Sequence, residues 1–270
     1  MSTTEIFDVE HGQCSLITST TGEHMLIDCG HNSTSGWRPS SHLASRGIGW
    51  LEELMITNCD EDHASDLVAL REKIGIGILS RNPTVSGEDL LHLKSQGGMG
   101  RGIAALAAMT GGYTEAVTQQ PYFDGLRTTQ FWNRYPDDFI DENNLSLVSI
   151  LRWPKISICY AGDMEVAGWK RLLQRPDFRA AMSDITILVA SHHGRQNGYC
   201  AELFAQTGLN PEMIVISDSG IQYASQETVA LYRKHARGFP HNGGRRHVLT
   251  TRRDGRIVID MLSGAVATSR

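Results

Sequence analysis

The stretch Thr57–His63, TNCDEDH, sits directly behind the apolar run Leu54–Ile56 and constrains this chain more than any other feature. A buried-type strand here ends in Asn58, Asp60 and Asp62 at alternating positions, followed at once by His63. Carboxylates delivered to a strand end must stay in water or meet a positive charge. Three other apolar runs end in the same way. Met25–Asp28 finishes in an acid, Ile156–Tyr160 is followed by Ala161-Gly162-Asp163, and Ile185–Ala190 by Ser191-His192-His193-Gly194. Strand ends that deliver oxygen and imidazole donors to one edge suit a loop-built metal centre, and that donor mixture suits zinc or manganese better than calcium.

The rest of the chain alternates strands with helices. Glu5–Val9 and Ser15–Thr18 read as short strands, and residues 31–41 as loop. His42–Arg46 and Trp50–Glu53 read as helical turns, and Leu67, Leu70 and Ile74 share a helix face. From Ser80 to Asp141 the pattern is least regular. A glycine-rich stretch at Gly97–Gly102 precedes an alanine-rich helix at Ile103–Met109, a break at Gly111-Gly112 and the aromatics Tyr122, Phe123, Phe131, Trp132 and Tyr135. Beyond it, Leu145–Leu151 and Ile156–Tyr160 form a hairpin-like pair around Trp153-Pro154, and a helix runs through Trp169–Leu173. Met213–Ser217 is a strand, Glu227–Ala236 a helix, and Val248–Thr250 with Arg256–Met261 a closing hairpin turned at Asp254-Gly255. This is an α/β architecture in two sheet-bearing halves with no visible linker, expected as one domain over residues 1–270.

Charge narrows the partners. The net charge of -5 over 270 residues excludes a global polycation. Residues 1–70 carry eleven Asp/Glu against Arg38 and Arg46, whereas residues 231–256 carry eight Lys/Arg against Asp254. An acidic half can collect a cation and a basic end can meet an anionic substrate; the alternative is two solvated faces that neutralise one another. The amino terminus MSTTEIFDVEHGQC has no signal-peptide pattern, and no apolar stretch approaches the roughly 18 residues of a membrane helix. Five widely spaced cysteines (Cys14, Cys29, Cys59, Cys159, Cys200) do not make a disulfide framework. The expectation is a reduced, cytoplasmic protein with no membrane partner.

In order along the chain stand IFDVEHGQC at Ile6–Cys14, LIDCG at Leu26–Gly30, TNCDEDH, NNLSLV at Asn143–Val148, AGD at Ala161–Asp163, SHHG at Ser191–Gly194 and TTRRDGRIVI at Thr250–Ile259. This ordered set resembles the metallo-β-lactamase fold superfamily, whose hallmark is a His-x-His-x-Asp-His loop after a strand. Within it, the chain looks most like the branch typified by the carboxy-terminal domain of the ComEC competence DNA-uptake protein, with its His-x-Asp-x-Asp-His loop. The resemblance covers nearly the whole chain except residues 75–140. It implies a four-layer αβ/βα sandwich with a partly helical insertion near residues 75–140, and one or two divalent ions, zinc or manganese. It assigns Asp62, His63, Asp163 and one of His192 and His193 to one ion, with His193 favoured and Asp163 bridging. The positions of Asn58 and Asp60 would hold a second ion, with Asn144 beside them. Asn58 stands where the superfamily has its first histidine, and a neutral amide oxygen is a weaker ligand than imidazole. Asp28, on another strand, is expected to orient a ligand by a hydrogen bond. Cys59 and Cys200 are expected to be structural, and His31 to stay in its loop.

The chemistry expected is hydrolysis by a metal-activated water. Asp60 and Asp62 would orient that water, the histidine that is not a ligand, His192, would donate a proton, and Arg195 would hold a substrate phosphate. The leading reading is a phosphodiesterase or nuclease acting on short or single-stranded nucleic acid or a related phosphoester. The alternatives are an amide, lactam or thioester hydrolase, which needs an apolar pocket built by the aromatic insertion, and a degenerate scaffold that binds a protein partner.

Overall fold

A computed structural model describes residues 2–95, 98–221 and 224–270; the Gly97 end of the glycine-rich stretch lies outside them. Strands β1 (Thr3–Ile6), β2 (Ser15–Thr18), β3 (His24–Ile27), β4 (Trp50–Met55) and β5 (Gly75–Ser80) come from the first half. Next come β6 (Arg127–Phe131), β7 (Val148–Arg152), β8 (Ser157–Tyr160), β9 (Ile187–Val189) and β10 (Met213–Ile216). The chain closes with β11 (Phe239–His241), β12 (Gly244–Arg246), β13 (Val248–Thr250), β14 (Ile257–Asp260) and β15 (Val266–Thr268). One sheet has the order β15-β14-β1-β2-β3-β4-β5 and the other β13-β10-β9-β8-β7-β6, while β11 and β12 form a separate small hairpin.

The inner faces meet in an apolar layer that includes Ile6, Ile17, Met25, Ile27 and Met55 from the first sheet and Leu151, Ile158, Val189 and Val215 from the second. The alternate residues of the same strands, such as Leu16, Leu26 and Leu54, face outward. There they pack under α1 (Pro39–Ser45), α2 (Glu61–Ala64), α3 (Leu67–Lys73), α4 (Gly87–Leu93) and α5 (Arg101–Thr110), through residues such as Leu43, Ala64, Leu67, Leu70, Leu90 and Ile103. On the far face of the second sheet lie α6 (Val166–Leu172), α7 (Pro176–Met182), α8 (Ala201–Thr207) and α9 (Val229–Arg233), which bury Trp169, Phe178, Phe204 and Tyr232. A last helical turn, α10, spans Thr251–Asp254. The result is the four-layer αβ/βα sandwich that the motif order implied.

Three expectations are corrected. Trp50–Glu53 is not a helical turn but the first part of β4, paired in parallel with β5 from Trp50 against Gly75 onward. Val248–Thr250 and Arg256–Met261 are not a hairpin: β13 pairs in parallel with β10 in one sheet, whereas β14 pairs antiparallel with β1 in the other. The Asp254-Gly255 step is therefore a crossover, closed by Asp254, whose carboxylate accepts from the Thr250 amide at 2.8 Å and pairs with Arg246 at 3.0 Å. The insertion is also shorter than residues 75–140, since β5 and β6 are sheet strands and only the connection between them, with α4 and α5, is added to the sandwich.

Among the described residues no helix is long and apolar enough to cross a membrane. All five cysteines are free, and four of them are buried.

Candidate metal centre

β3 and β4 lie parallel and end side by side, so Asp28 and Thr57 emerge together. The Asp28 amide donates to the Met55 carbonyl at 2.8 Å, and the Asp28 carboxylate accepts from the Thr57 amide at 2.7 Å and the Thr57 hydroxyl at 2.5 Å. Past Thr57 the chain turns into α2, whose first amide is capped by the Asp60 side chain at 2.9 Å. That turn presents Asp62 and His63. On the second sheet, Asp163 follows β8 and His192-His193 follow β9, both histidines with φ near the left-handed region, 50° and 53°. Non-glycine residues there store strain that is common where side chains must be aimed at a ligand.

Four side chains converge. One donor atom from each of Asp62, His63, Asp163 and His193 lies within 4.8 Å of all the others. His63 Nε2 is 3.0 Å from Asp163 Oδ1, His193 Nε2 is 3.4 Å from that same oxygen and 3.2 Å from Asp62 Oδ2. A tetrahedral ion with bonds of about 2.0–2.2 Å sets its ligand atoms roughly 3.3–3.6 Å apart; the three short pairs here lie at or slightly inside that spacing, and the group spreads to no more than 4.8 Å.

Proton positions favour the same reading. His193 Nδ1 faces the Ser217 carbonyl at 3.1 Å, and because a carbonyl only accepts, the proton sits on Nδ1. His63 Nδ1 is 2.9 Å from the Asp28 carboxylate. Both Nε2 atoms are thus turned to the cluster, and His193 Nε2 is buried with no well-aligned hydrogen bond despite the nearby carboxylates. Burial alone would lower the basicity of His193, but the Asp163 and Asp62 carboxylates outweigh it and hold the imidazole up at about 10; His63 is likewise raised by Asp163 and Asp28 against its burial. Burial would raise Asp163, yet His193 and His63 hold it well below the usual carboxylate range. The carboxylates demand positive charge at this point. Two imidazole nitrogens and two carboxylate oxygens are a donor set that zinc, manganese or iron accepts.

The remaining candidates divide. Asp28 is fully buried against His63. His192 stands beside the group, its Nε2 3.9 Å from Asp163 Oδ2 and its Nδ1 3.5 Å from Glu165. Arg195 is half-buried with Nη1 3.4 Å from His192 Nε2. Asn58 and Asp60 do not join the four. Asp60 Oδ1 is held by Lys94 Nζ at 3.0 Å, and Asn58 Nδ2 donates to Ser146 Oγ at 3.0 Å and Asn143 Oδ1 at 3.3 Å. Asn144 is turned away altogether, bonded to Asp141 at 3.0 Å and to the Gly168 amide at 2.7 Å, so its neighbour Asn143 is what touches Asn58. His31 bonds Ser65 at 2.6 Å, Cys59 packs into the apolar layer under the helices, and Cys200 is buried beneath α6 and α8.

Reasoning by residue type missed Lys94, Glu142, Glu165 and Ser217. Ser217 acts through a main-chain carbonyl that any residue would supply. Lys94 lies in the segment of weakest periodicity and Glu142 directly behind it, where no spacing points to a site. Half of the eight basic residues in the carboxy-terminal stretch are spent internally: Arg237 pairs with Glu212, Arg246 with Asp254, Arg252 with Asp218 and Arg256 with Glu5.

No protein-family model matches the sequence, and no curated protein matches it. Solved structures do. The metallo-β-lactamase fold protein YhfI from Bacillus subtilis is similar with a TM-score of 0.52, covering 96% of this chain and 99% of its own at 10% identity. CmlA, a diiron β-hydroxylase from Streptomyces venezuelae, has a TM-score of 0.52 over 96% of this chain and 54% of its own at 11% identity. At such identities the likeness speaks for the fold. This chain has the metallo-β-lactamase fold.

Proposed function

We propose that this protein is a metal-dependent hydrolase of phosphodiesters, with Asp62, His63, Asp163 and His193 holding the ion. One observation carries the reading: two imidazole Nε2 atoms and two carboxylates from three separate strand ends meet at one point, each Nδ1 already committed elsewhere. Such an ion acidifies a bound water and polarises a phosphoryl oxygen. The chain's own part is positional. Asp28 and the Ser217 carbonyl fix the two imidazole rings, and Asp62, with its side chain 36% exposed where its three partners are nearly buried, marks the open side. His192, between Asp163, Glu165 and Arg195, is placed to pass a proton to a leaving oxygen, and Arg195 to bind a phosphate oxygen beside it.

The ordered motifs that resemble the ComEC branch support a phosphodiester over an amide. So does the fate of the aromatic insertion. An amide or thioester reading needs those rings around the ion, but Phe123 lines a cavity of about 160 Å³ at the sandwich edge, with Met25, Glu53 and Gln130 and none of the four ligand candidates. With half of the basic stretch paired internally and a net charge of -5, the substrate is expected to be short or single-stranded rather than a duplex. The free cysteines support action in a reducing compartment such as the cytoplasm.

The test is metal content of undialysed protein by mass spectrometry, with Asp163→Ala alongside, followed by hydrolysis of bis-p-nitrophenyl phosphate and labelled single-stranded DNA and RNA with added manganese or zinc. Bound metal that Asp163→Ala loses, together with phosphodiester turnover that the variant lacks, is the expected result. Protein that takes up no zinc, manganese or iron sinks the hydrolase and leaves the scaffold reading. Metal with thioester or lactam turnover and no phosphodiester turnover moves the substrate class.

A further inference from the structure

Asp60 is two residues from a ligand candidate, on the same loop, yet its carboxylate does not turn toward the other ligands. It is held by Lys94, which follows α4 and comes from the added segment between β5 and β6. The Lys94 side chain is 8% exposed, and its ammonium also pairs with Glu142. A lysine so deeply placed between two carboxylates is a fixed charge rather than a solvated surface cation.

The neighbouring bonds link Lys94 to the loops that carry the ligand candidates. The Glu142 carbonyl accepts from Asn58 Nδ2 at 3.4 Å, and Asn58 Nδ2 also donates to Ser146 Oγ at 3.0 Å. Ser146 Oγ in turn accepts from the amide of Asp163 at 3.0 Å. Lys94 is therefore joined through Glu142, Asn58 and Ser146 to the backbone of one ligand candidate, and through Asp60 to the loop of two others. Asn58 has its NH₂ turned to these acceptors, while its Oδ1 is buried without a donor. Two carboxylates of a kind that binds hard cations, from Asp60 and Glu142, thus hold an ammonium, and the Asn58 amide is bonded to the Glu142 carbonyl next to them.

We propose that the Lys94 ammonium fills the second cation position of this centre, so that the protein holds a single metal ion and presents a fixed organic cation beside it. This rests on the metal-centre reading above and deepens it. A permanent charge in that place restricts the ion count, because the Asp60 and Glu142 carboxylates are already paired with it. It also gives the segment between β5 and β6 a role at the site, which neither its length nor its composition suggested.

The experiment is ion stoichiometry by native mass spectrometry during manganese and zinc titration of the parent protein, Lys94→Gln and Lys94→Arg, with circular dichroism as the folding control. The expected parent value is about one ion per chain at saturation, unchanged in Lys94→Arg. Lys94→Gln releases Asp60 and Glu142 and is expected to take up about one further ion, more weakly than the first. Two ions on the parent overturn the proposal while leaving the hydrolase reading intact. Lys94→Gln that folds and stays at one ion in saturating metal also overturns it. No ion on any of the three proteins overturns this proposal and the hydrolase reading together. The parent stoichiometry decides even if Lys94→Gln does not fold.

Discussion

His63 and His193 each reach the cluster with one ring nitrogen already bonded, and the residues that do this shape the site as much as the ligands. Asp28 is fully buried; burial raises its carboxyl while His63 and Thr57 oppose that rise. Partners that fix a ligand's tautomer typically govern metal affinity by about 10–100-fold. Asp28→Asn keeps the size and retains an acceptor for Thr57 but removes the negative charge from His63. Its expected effect is a loss of metal affinity on the order of 10-fold, read by chelator competition, with the fold retained by circular dichroism. Unchanged affinity would show that Asp28 serves only to fasten β3 to β4. That Asp62, His63, Asp163 and His193 come together, with Asp28 beside them, was legible in the sequence because each is a chemically distinctive residue at the end of an apolar run. Asn58, Asp60 and Asn144 could not be placed so well. Their type and spacing were suggestive, but the Asp60 carboxylate is bonded to Lys94, a residue 34 positions away.

At the scale of elements, the loop carrying Asp62 is wedged against the turn that follows β3. A Cβ placed on Gly30 would come within 2.3 Å of the Asp62 carbonyl and 3.0 Å of the Gln13 carbonyl, both of them backbone atoms that cannot swing aside. Gly30→Ala therefore has to push α2 away from β3, and overpacking of this kind costs about 1–3 kcal/mol. The expected outcome is a lower melting temperature together with a larger loss of metal affinity than the stability change explains, since Asp62 and His63 move as one unit; a variant that melts early but binds metal normally would refute the wedge. Elements were legible where period and length agreed, as in β2, which the pattern predicts at Ser15–Thr18 and the structure places there. They were misread where a residue's surroundings override its type. Glu53 faces the inter-sheet side of β4, and a glutamate there made Trp50–Glu53 look like the exposed side of a helix. Asp254-Gly255 carries the local signal of a hairpin turn, but the partners of β13 and β14 are chosen by β10 and β1, more than thirty and two hundred residues away. No local signal encodes that choice.

Across the whole molecule, two ion pairs join the ends of the chain: Arg256 reaches Glu5, which also receives Arg46, and Arg270 reaches Asp8. Glu53 is the exception inside the sandwich. It is 3% exposed, no ion pair to it is found among the described residues, and it lines the edge cavity with Met25, Phe123 and Gln130. Burial raises its carboxyl above the usual value of 4.5, opposed only by a hydrogen bond to Ser80. The sign follows from proton linkage. A carboxyl whose folded value lies above its unfolded value costs nothing below the unfolded value, because it is protonated in both states; as pH rises toward the folded value, unfolding releases a proton and stability falls. The parent is therefore expected to lose stability from pH 4.5 upward until Glu53 is ionised in the fold, and then to level off. Glu53→Gln removes the charge and keeps the shape. Its gain over the parent is expected to be near zero at pH 4 and to grow through the window above 4.5. Urea melts of both proteins between pH 4 and pH 8 measure it directly. A gain that does not depend on pH would mean that the amide improves packing alone, and a loss at neutral pH would mean that the ionised carboxylate holds a cation in the edge cavity.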